Sequence, residues 1–587
     1  MTTSLEMDAA SLFLFLHRAA LSPIIGFALI AFAVLFFFPG GLSWALSKPH
    51  GRSSIPGPPG VAVSAFSGPS AHRELLTLSR SFKATDLMAF SVGFTRFVVS
   101  SHPNTAKEIL YSSAFADRPV KESAYELLFH RAMGFAPFGD YWRNLRRISS
   151  AYLFSPRRIA SLGEQRRAIG NKMVSDVRAL MKNHGEAEMR RVLHFASLNN
   201  VMMSVFGKSY DDLGDGEASE LEWLVKEGYA LLGAFNWSDH FPFLRWLDLQ
   251  GVRRRCRRLV KRVNVFVGRL IEQHRDKKTN GKEMDDAGDF VDVLLGLEAE
   301  EKLADADMVA VLWEMIFRGT DTVAILLEWA LARMVLHPDI QSKARQEIDS
   351  VVGSRPVSDA DVGSLPYLQF IIKESLRMHP PGPLLSWARL ATRDVHVGSH
   401  LVPAGTTAMV NMWAIAHDES LWPDPHEFRP ERFAEEDVSV LGSDLRLAPF
   451  GAGRRVCPGK AMGLASAHLW LALLLQNFDF FPAPRGVDLS ECLKMSLEMQ
   501  KPLTCMAGLW VRLMLMLAAL SMLAKPSYRM LISAGNGLMV KLITSASDDS
   551  PLEIPVGGLM SQYSFSESLS SLKGGCSDVW NGNPKQH

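Results

Sequence analysis

A chain of 587 residues with 47% hydrophobic content can bury a large core, and it exceeds the usual length of one domain. A formal net charge of +1 with 21% charged residues excludes a global field that would draw nucleic acid, and it excludes a disordered polyelectrolyte. Five cysteines, Cys256, Cys457, Cys492, Cys505 and Cys576, are too few and too irregular for a disulfide framework and fit a reducing compartment.

The first predicted element is an apolar run over residues 19–38 without a charge, about enough helix to cross a bilayer core. The competing reading is a cleaved signal peptide, but the run is longer than a typical signal core and no small-x-small cleavage site follows it. Glu6 and Asp8 precede the run while Lys48 and Arg52 follow it, with Arg18 working against the asymmetry, so the bulk of the chain is expected on the cytosolic side. Residues 1–47 therefore read as a membrane anchor. Residues 48–60, carrying Ile55-Pro56-Gly57-Pro58-Pro59-Gly60, read as a stiff Pro/Gly hinge in which neither helix nor sheet continues.

Residues 61–505 read as one body, mainly α with small β-sheets (α+β): apolar segments of helical period separated by Pro- and Gly-rich turns, with short strand-like pieces such as Phe97-Val98-Val99. Trp142 and Arg146 lie one turn apart on a helix that follows Pro137-Phe138-Gly139-Asp140-Tyr141, and Arg143 and Arg147 share the adjacent stripe. That stripe is either a docking face for an acidic partner or an ordinary solvated face. Phe235, Trp237, Phe241, Phe243 and Trp246 precede Arg253-Arg254-Arg255-Cys256-Arg257-Arg258, an aromatic stretch and a basic helix that either rest on an anionic membrane or are simply solvated.

The longest pattern runs over residues 305–336, is closed by His337-Pro338, and would extend about 48 Å. It is apolar on nearly all sides yet carries Glu314, Arg318, Asp321, Thr322 and Glu328, polar groups that need partners or a water-filled cavity. Arg318 lies one turn before Thr322 and either faces a substrate carboxylate or pairs with Glu314 four residues earlier. Further on, Glu374 and Arg377 share one face of a short helix that Pro380-Pro381 ends.

The sequence Pro449-Phe450-Gly451-Ala452-Gly453-Arg454-Arg455-Val456-Cys457-Pro458-Gly459 leads into an apolar helix from 460 to about 478. Glycines let the backbone pass close to a flat ligand, and amides at a helix start favour a thiolate over a thiol. Taken alone, a buried structural cysteine is the common outcome for one such residue. Phe450, Gly453, Arg455, Cys457 and Gly459 occupy every fixed position of the pattern F-x-x-G-x-R-x-C-x-G, and the segment resembles the cysteine loop of the cytochrome P450 superfamily.

The resemblance implies haem b (iron protoporphyrin IX) held between the long helix and the cysteine loop, with Cys457 as the axial ligand to iron. It further implies that Phe450 shields the sulfur and that Arg455, Trp142, Arg146 and Arg389 contact the haem. Glu374, Arg377 and Arg432 would form a structural triad behind the loop, and Gly319-Thr320-Asp321-Thr322 an oxygen-binding groove in which Asp321 and Thr322 relay protons. Thr322 could also bond back to its own helix. Substrate-facing positions are implied at residues 123–129, 383–387 and 495–499.

The segments 317–324 and 250–256 resemble the plant A-type subfamily seventy-eight, which implies fatty-acid hydroxylation or a lipid-derived growth signal acting on organ and seed size. The implied activity is monooxygenation of a lipophilic small molecule at the endoplasmic reticulum membrane, with NADPH supplying electrons through NADPH-cytochrome P450 reductase and with no nucleic-acid partner. Two other readings stay open: a reductase-independent haem-thiolate isomerase or dehydratase, and a haem protein impaired by its tail. That tail, residues 506–587, has no discernible core pattern and reads as a membrane-associated helix, a disordered segment or a gene-model artefact.

Overall fold

The computed structural model describes residues 40–47, 55–59, 68–119, 121–211, 216–279, 288–385 and 388–508, strands within 528–556, and a few isolated positions from 25 to 38. The apolar run 19–38 lies almost wholly outside these, and among the described residues no helix is long and apolar enough to cross a membrane. The chain divides into a unit ending at Ala507 and a second beginning at Gly508.

The first unit is mainly helical. Its principal helices are α1 (Ala71–Ser81), α2 (Glu122–Glu126), α3 (Asp140–Tyr152), α4 (Gly163–His184), α5 (Met189–Phe206), α6 (Gly216–Gly233), α7 (Val252–Thr279), α8 (Asp305–Leu336), α9 (Pro338–Val351), α10 (Pro366–Met378) and α11 (Lys460–Asn477). Helix α8 has the bounds read from the sequence, because His337 leaves the helical region and Pro338 begins the next helix with its missing N–H. At the start of α7, both carboxylate oxygens of Asp248 accept from the Arg253 and Arg254 amides (3.1 and 3.0 Å), satisfying donors that a helix start leaves open.

Helix α8 runs through the middle of two apolar clusters. Its N-terminal half packs with α6 and α7, and its C-terminal half with α4, α5, α10 and α11. Trp313, Phe317 and Trp329 on α8 are fully buried, each contributing about 1.5–3 kcal/mol of burial. The Trp329 indole also donates to the Leu497 carbonyl (3.0 Å).

The strands are short: β1 (Met88–Val92), β2 (Thr95–Ser100), β3 (Ala187–Glu188), β4 (Arg389–Leu390), β5 (Thr407–Val410), β6 (Asp479–Pro482), β7 (Glu491–Leu493), β8 (Leu497–Met499) and β9 (Thr504–Gly508). One sheet has the order β1-β2-β5-β4, with β2 and β5 parallel in the register Phe97↔Thr407 and β4 antiparallel to β5 at Arg389↔Ala408. The Pro/Gly hinge does not stand free of it: the Ala89 amide of β1 donates to the Pro56 carbonyl (2.9 Å), and Ile55 is buried. Strand β9 pairs antiparallel with β3, so the last strand of the body is intact.

Near the C-terminal end of α10 lies a buried carboxylate. Glu374 takes a two-pronged grip from Arg377 (2.7 and 2.8 Å), a bond from the Arg432 Nε (3.1 Å) and one from the Arg429 amide (3.0 Å). The remaining guanidinium protons reach carbonyls of Ala416, Pro425 and Glu427 from Arg377, and of Pro423, Asp424 and Glu427 from Arg432. Each charge is thus both paired and hydrogen-bonded, the condition for keeping ions in an interior.

The second unit holds a three-stranded antiparallel sheet of Tyr528–Gly535, Gly537–Thr544 and Leu552–Val556. The sequence reading of a tail without core pattern misses these strands, where β-branched and aliphatic residues recur over stretches too short to stand out among Ser and Gly.

Candidate active site

A largely apolar cavity lies between α8 and the segment from Pro449 to the first turn of α11. Phe450 and Cys457 line it from the loop, Phe317, Gly319, Thr322 and Val323 from α8, and Leu384, Leu385 and Met409 from the loop before β4 and from β5. The loop is shaped by its own backbone: the Cys457 amide donates to the Phe450 carbonyl (2.9 Å). Gly453 sits at φ +66° against the Leu110 carbonyl, a place where a Cβ would be both strained and obstructed.

Burial raises the pKa of the Cys457 thiol, against the opposing pull of Arg318, the Gly459 amide, Arg146 and Lys460. The sulfur therefore sits at a helix start in cationic surroundings, and coordination to a metal deprotonates such a thiol outright.

Arg118, Arg146, Arg389 and Arg455 converge on the cavity. Arg455 donates to the carbonyls of Ala116 (2.9 Å), Met133 (3.2 Å) and Ala136 (2.7 Å), and its guanidinium lies 4.4 Å over the Trp142 ring. Arg146 reaches the Val456 carbonyl (2.9 Å), and the Trp142 indole donates to the Met133 carbonyl (2.9 Å), which Arg455 also uses. Arg389 makes a long contact to the Ala452 carbonyl (3.4 Å), while its Nη1 is buried without a hydrogen-bond partner. Burial, then Arg455, pulls the Arg389 guanidinium down to about 9, and burial draws Arg455 down to about 10.

Arg118 was not singled out from the sequence. It is held by the carbonyls of Gly134 and Ala388 (3.2 Å each) and lowered first by burial, then by Arg389, Arg455 and Arg318. Its one signal, an Arg before a proline in a loop, carries no chemistry until the fold brings it beside Arg389. Desolvated guanidiniums that repel one another around an apolar cavity, one with an orphaned nitrogen, call for an anion. A flat apolar group bearing carboxylates and a metal for Cys457 fits this donor set.

The polar residues of α8 have separate fates. Glu314 accepts from the Gly134 amide (2.8 Å) and from Arg318 (3.3 Å), and burial raises its pKa against Arg318 and that amide. Arg318 thus has its internal partner and at the same time lines the cavity. Thr320 bonds back to the Ile316 carbonyl (2.8 Å), whereas Thr322 is exposed on the cavity wall with no hydrogen-bond partner among the described residues. Asp321 does not line the cavity; its carboxylate points to α5, where it meets the Nδ1 of His194 at 3.1 Å. Glu328 is gripped by Arg190 of α5 (3.1 and 2.9 Å) and accepts the Leu503 amide (2.9 Å).

Of the substrate-facing segments expected, 383–387 contributes Leu384 and Leu385, with Ser386 and Trp387 outside the described residues, and 495–499 contributes Met495 and Ser496. Segment 123–129 contributes no lining residue. Helix α2 (Glu122–Glu126), which overlaps it, carries instead two partners of the basic run. Buried Glu122 takes Arg253 (2.8 Å), Arg245 (3.3 Å) and Asn236 (3.1 Å), Glu126 takes Arg257 (2.9 Å), and Arg255 goes to Glu227 (2.8 Å). Three of the five arginines of that run thus have acidic partners within the protein, while Arg254, Arg255, Arg257 and Arg258 remain exposed. The aromatic stretch before it remains outward: Trp246 is 78% exposed and Phe243 61%. Arg143 and Arg147 pair with Asp140 and Glu301 and stay exposed.

A family model described as Cytochrome P450 matches residues 68–506. The chain is 64% identical to Cytochrome P450 78A5 of Arabidopsis thaliana over 82% of its own length and 93% of that protein. It is 54% identical to Cytochrome P450 78A9 of the same plant, over 80% of this chain and 90% of that one. To the Flavonoid 3'-monooxygenase of Arabidopsis thaliana it is 34% identical, over 80% and 94% respectively.

Proposed function

Because this chain belongs to the cytochrome P450 family, whose members are monooxygenases, we propose that it hydroxylates a lipophilic small molecule with haem b as cofactor and with NADPH as the source of electrons through a flavoprotein reductase. The observation that carries this reading is that Cys457 and Thr322 line one apolar cavity rimmed by Arg118, Arg146, Arg389 and Arg455. When bound, the haem supplies reductive cleavage of dioxygen, putting one oxygen atom into a C–H bond and releasing the other as water.

The chain's residues serve that chemistry in separate roles. Cys457 would hold the iron through its sulfur, Phe450 would cover that sulfur, and the arginines would hold the propionates, with Trp142 as a brace. Thr322 presents a free hydroxyl on the wall where dioxygen is reduced, and Asp321 on the same turn of α8 carries protons toward it. The apolar walls, with Phe317, Leu385 and Met409, exclude water and favour a lipid-like substrate.

Residues 1–47 anchor the chain in the endoplasmic reticulum membrane with the catalytic body, 61–505, on the cytosolic side; residues 48–60 are the segment joining them, and 506–587 is an added tail. The exposed Phe243 and Trp246 reach into the lipid interface, and the face bearing Arg143 and Arg147 receives the reductase. A fatty acid or a lipid-derived growth signal acting on organ or seed size is the substrate class, with Arg318 at its carboxylate.

Two results are expected. Microsomes carrying the protein and reductase convert NADPH, dioxygen and a lipid substrate to a hydroxylated product; conversion of a peroxide with no need for NADPH would overturn the reading in favour of an isomerase. Arg318→Ala lowers turnover of free acids by at least about tenfold relative to the matching alcohols or esters, the loss of a charge-assisted contact of ~1.5–3 kcal/mol. Equal losses on acids and esters would assign Arg318 to Glu314 alone.

Arg118→Ala is expected to lower haem retention, measured as the haem-to-protein ratio after gel filtration, while leaving the helical content unchanged. Full retention would remove Arg118 from the propionate-binding set.

A further inference from the structure

Helix α5 turns a polar stripe toward α8. Arg190 grips Glu328, and four residues on His194 meets Asp321 at 3.1 Å. Further along α5, Val201 approaches Gly319 so closely that a Cβ there would lie 2.5 Å from its Cγ2. The helices therefore touch where Asp321 emerges: its carboxylate lies on the His194 side of α8, and Thr322, the next residue, lies on the cavity wall.

Two atoms on this stripe are unexplained. The Nε2 of His194 and the Oγ of Ser197, one turn later on the same helix, are both buried without a hydrogen-bond partner. Orphaned polar atoms in a protein interior are as a rule satisfied by ordered water, which needs polar groups such as these. The groups facing His194 are Asp321 and Glu328 from α8 and Arg190 from α5, with Glu498 of β8 behind Arg190 at 3.5 Å.

We propose that His194 is the proton-supplying partner of Asp321, fed by ordered water at its Nε2 and at Ser197. This rests on the reading of Asp321 and Thr322 as the proton relay and extends it outward by one residue. The transfer balances. An imidazolium gives its Nδ1 proton to Oδ1 of Asp321, leaving a neutral ring and a neutral acid. The acid turns toward the cavity and releases that proton at Thr322, returning as carboxylate. Water then reprotonates the ring, so the net change is one proton moved from solvent to the cavity. Burial lowers the His194 pKa, but the hydrogen bond and charge of Asp321, then Glu328, outweigh it, and the result is a pKa raised above the ordinary 6.5. That shift favours the imidazolium that the transfer requires.

The test compares His194→Gln, His194→Ala and Asp321→Asn with wild type. Glutamine can still hold Asp321 by a hydrogen bond but has no proton to donate. His194→Gln is expected to raise peroxide released per NADPH oxidised by about tenfold, a part of the 10²–10⁴ that a positioned acid contributes, and to change the solvent isotope effect. An unchanged peroxide yield in His194→Gln, with Asp321→Asn impaired, overturns the inference alone; an unchanged yield in Asp321→Asn overturns the relay reading beneath it.

A second measurement needs no turnover. A histidine whose folded pKa lies above its unfolded value stabilises the fold fully below about 6.5, and that contribution is lost as pH rises through the folded pKa. His274, beside Asp289, is raised too and contributes the same step in every variant, so the readout is the difference from His194→Ala: the unfolding midpoint of wild type is expected to fall more over that interval than that of His194→Ala, and that of Asp321→Asn to fall no more than that of His194→Ala. A fall in Asp321→Asn as large as in wild type overturns the proposed pairing.

Discussion

Exchange of Cys457 for serine is expected to abolish the red-shifted Soret absorption of the reduced, carbon monoxide-treated protein and to lower turnover on the order of 10³-fold or more, the scale of removing a group on which the chemistry depends. The substitution changes one atom of similar size. The turn around it is built by the backbone, since the Cys457 amide donates to the Phe450 carbonyl and Gly453 supplies the positive φ. Thermal unfolding of the cofactor-free protein is therefore expected to change little. Oxygen is a poor donor to a haem iron next to a thiolate, so the loss belongs to the ligand and not to the fold. Serine protein that kept the spectrum would remove the sulfur from its assigned role.

Glu374→Ala is expected to produce the largest loss of stability, about 3–5 kcal/mol, because it leaves two buried guanidiniums without their anion. Glu374 and Arg377 are both 0% exposed, and Arg432 is 5% exposed. Their carbonyl contacts at Ala416, Pro425, Pro423 and Asp424 remain, but carbonyls supply only partial charge. Glu374→Gln keeps an acceptor for one arginine and is expected to cost less, about 1–3 kcal/mol. In thermal unfolding the alanine variant should melt on the order of 5 °C lower. Since none of the triad residues lines the cavity, protein that does fold should show an unaltered carbon monoxide spectrum. A melting temperature within error of wild type would count against the triad as a structural lock.

The sequence made the backbone of this site legible wherever function is written locally. The cysteine loop needs glycines, a thiol and a helix start in one unbroken stretch, and α8 announces its own end with His337-Pro338. Glu374 and Arg377 are three residues apart and pair as helical spacing predicts. What stayed hidden was decided by distant partners. Arg118 joins the cationic rim only because its loop is brought beside β4, and His194 is one more residue of an apolar helix until α8 lays Asp321 against it.

The partners of the run Arg253 to Arg258 are distant in the same way: the helix face is solvated, with Arg254, Arg255, Arg257 and Arg258 exposed, but Glu122, Glu126 and Glu227 sit opposite three of its cations in the fold. Segment 123–129, expected by position to form a cavity wall, contributes no lining residue and packs Phe129 against Phe317 (5.0 Å between ring centres). The strands of the tail were missed because alternation over so few residues is a weak signal amid Ser and Gly.

Glu328 accepts the amide of Leu503, 175 positions further along the chain. A ribosome adding about 5–20 residues per second delivers that amide on the order of 10–35 s after the carboxylate it satisfies. Throughout that interval the nascent polypeptide holds an acidic side chain at its centre without its final donor, so the middle of the molecule settles late in synthesis. A message truncated upstream of codon 503 yields a product whose interior anion never acquires that amide, and such a product is a natural target for cellular quality control.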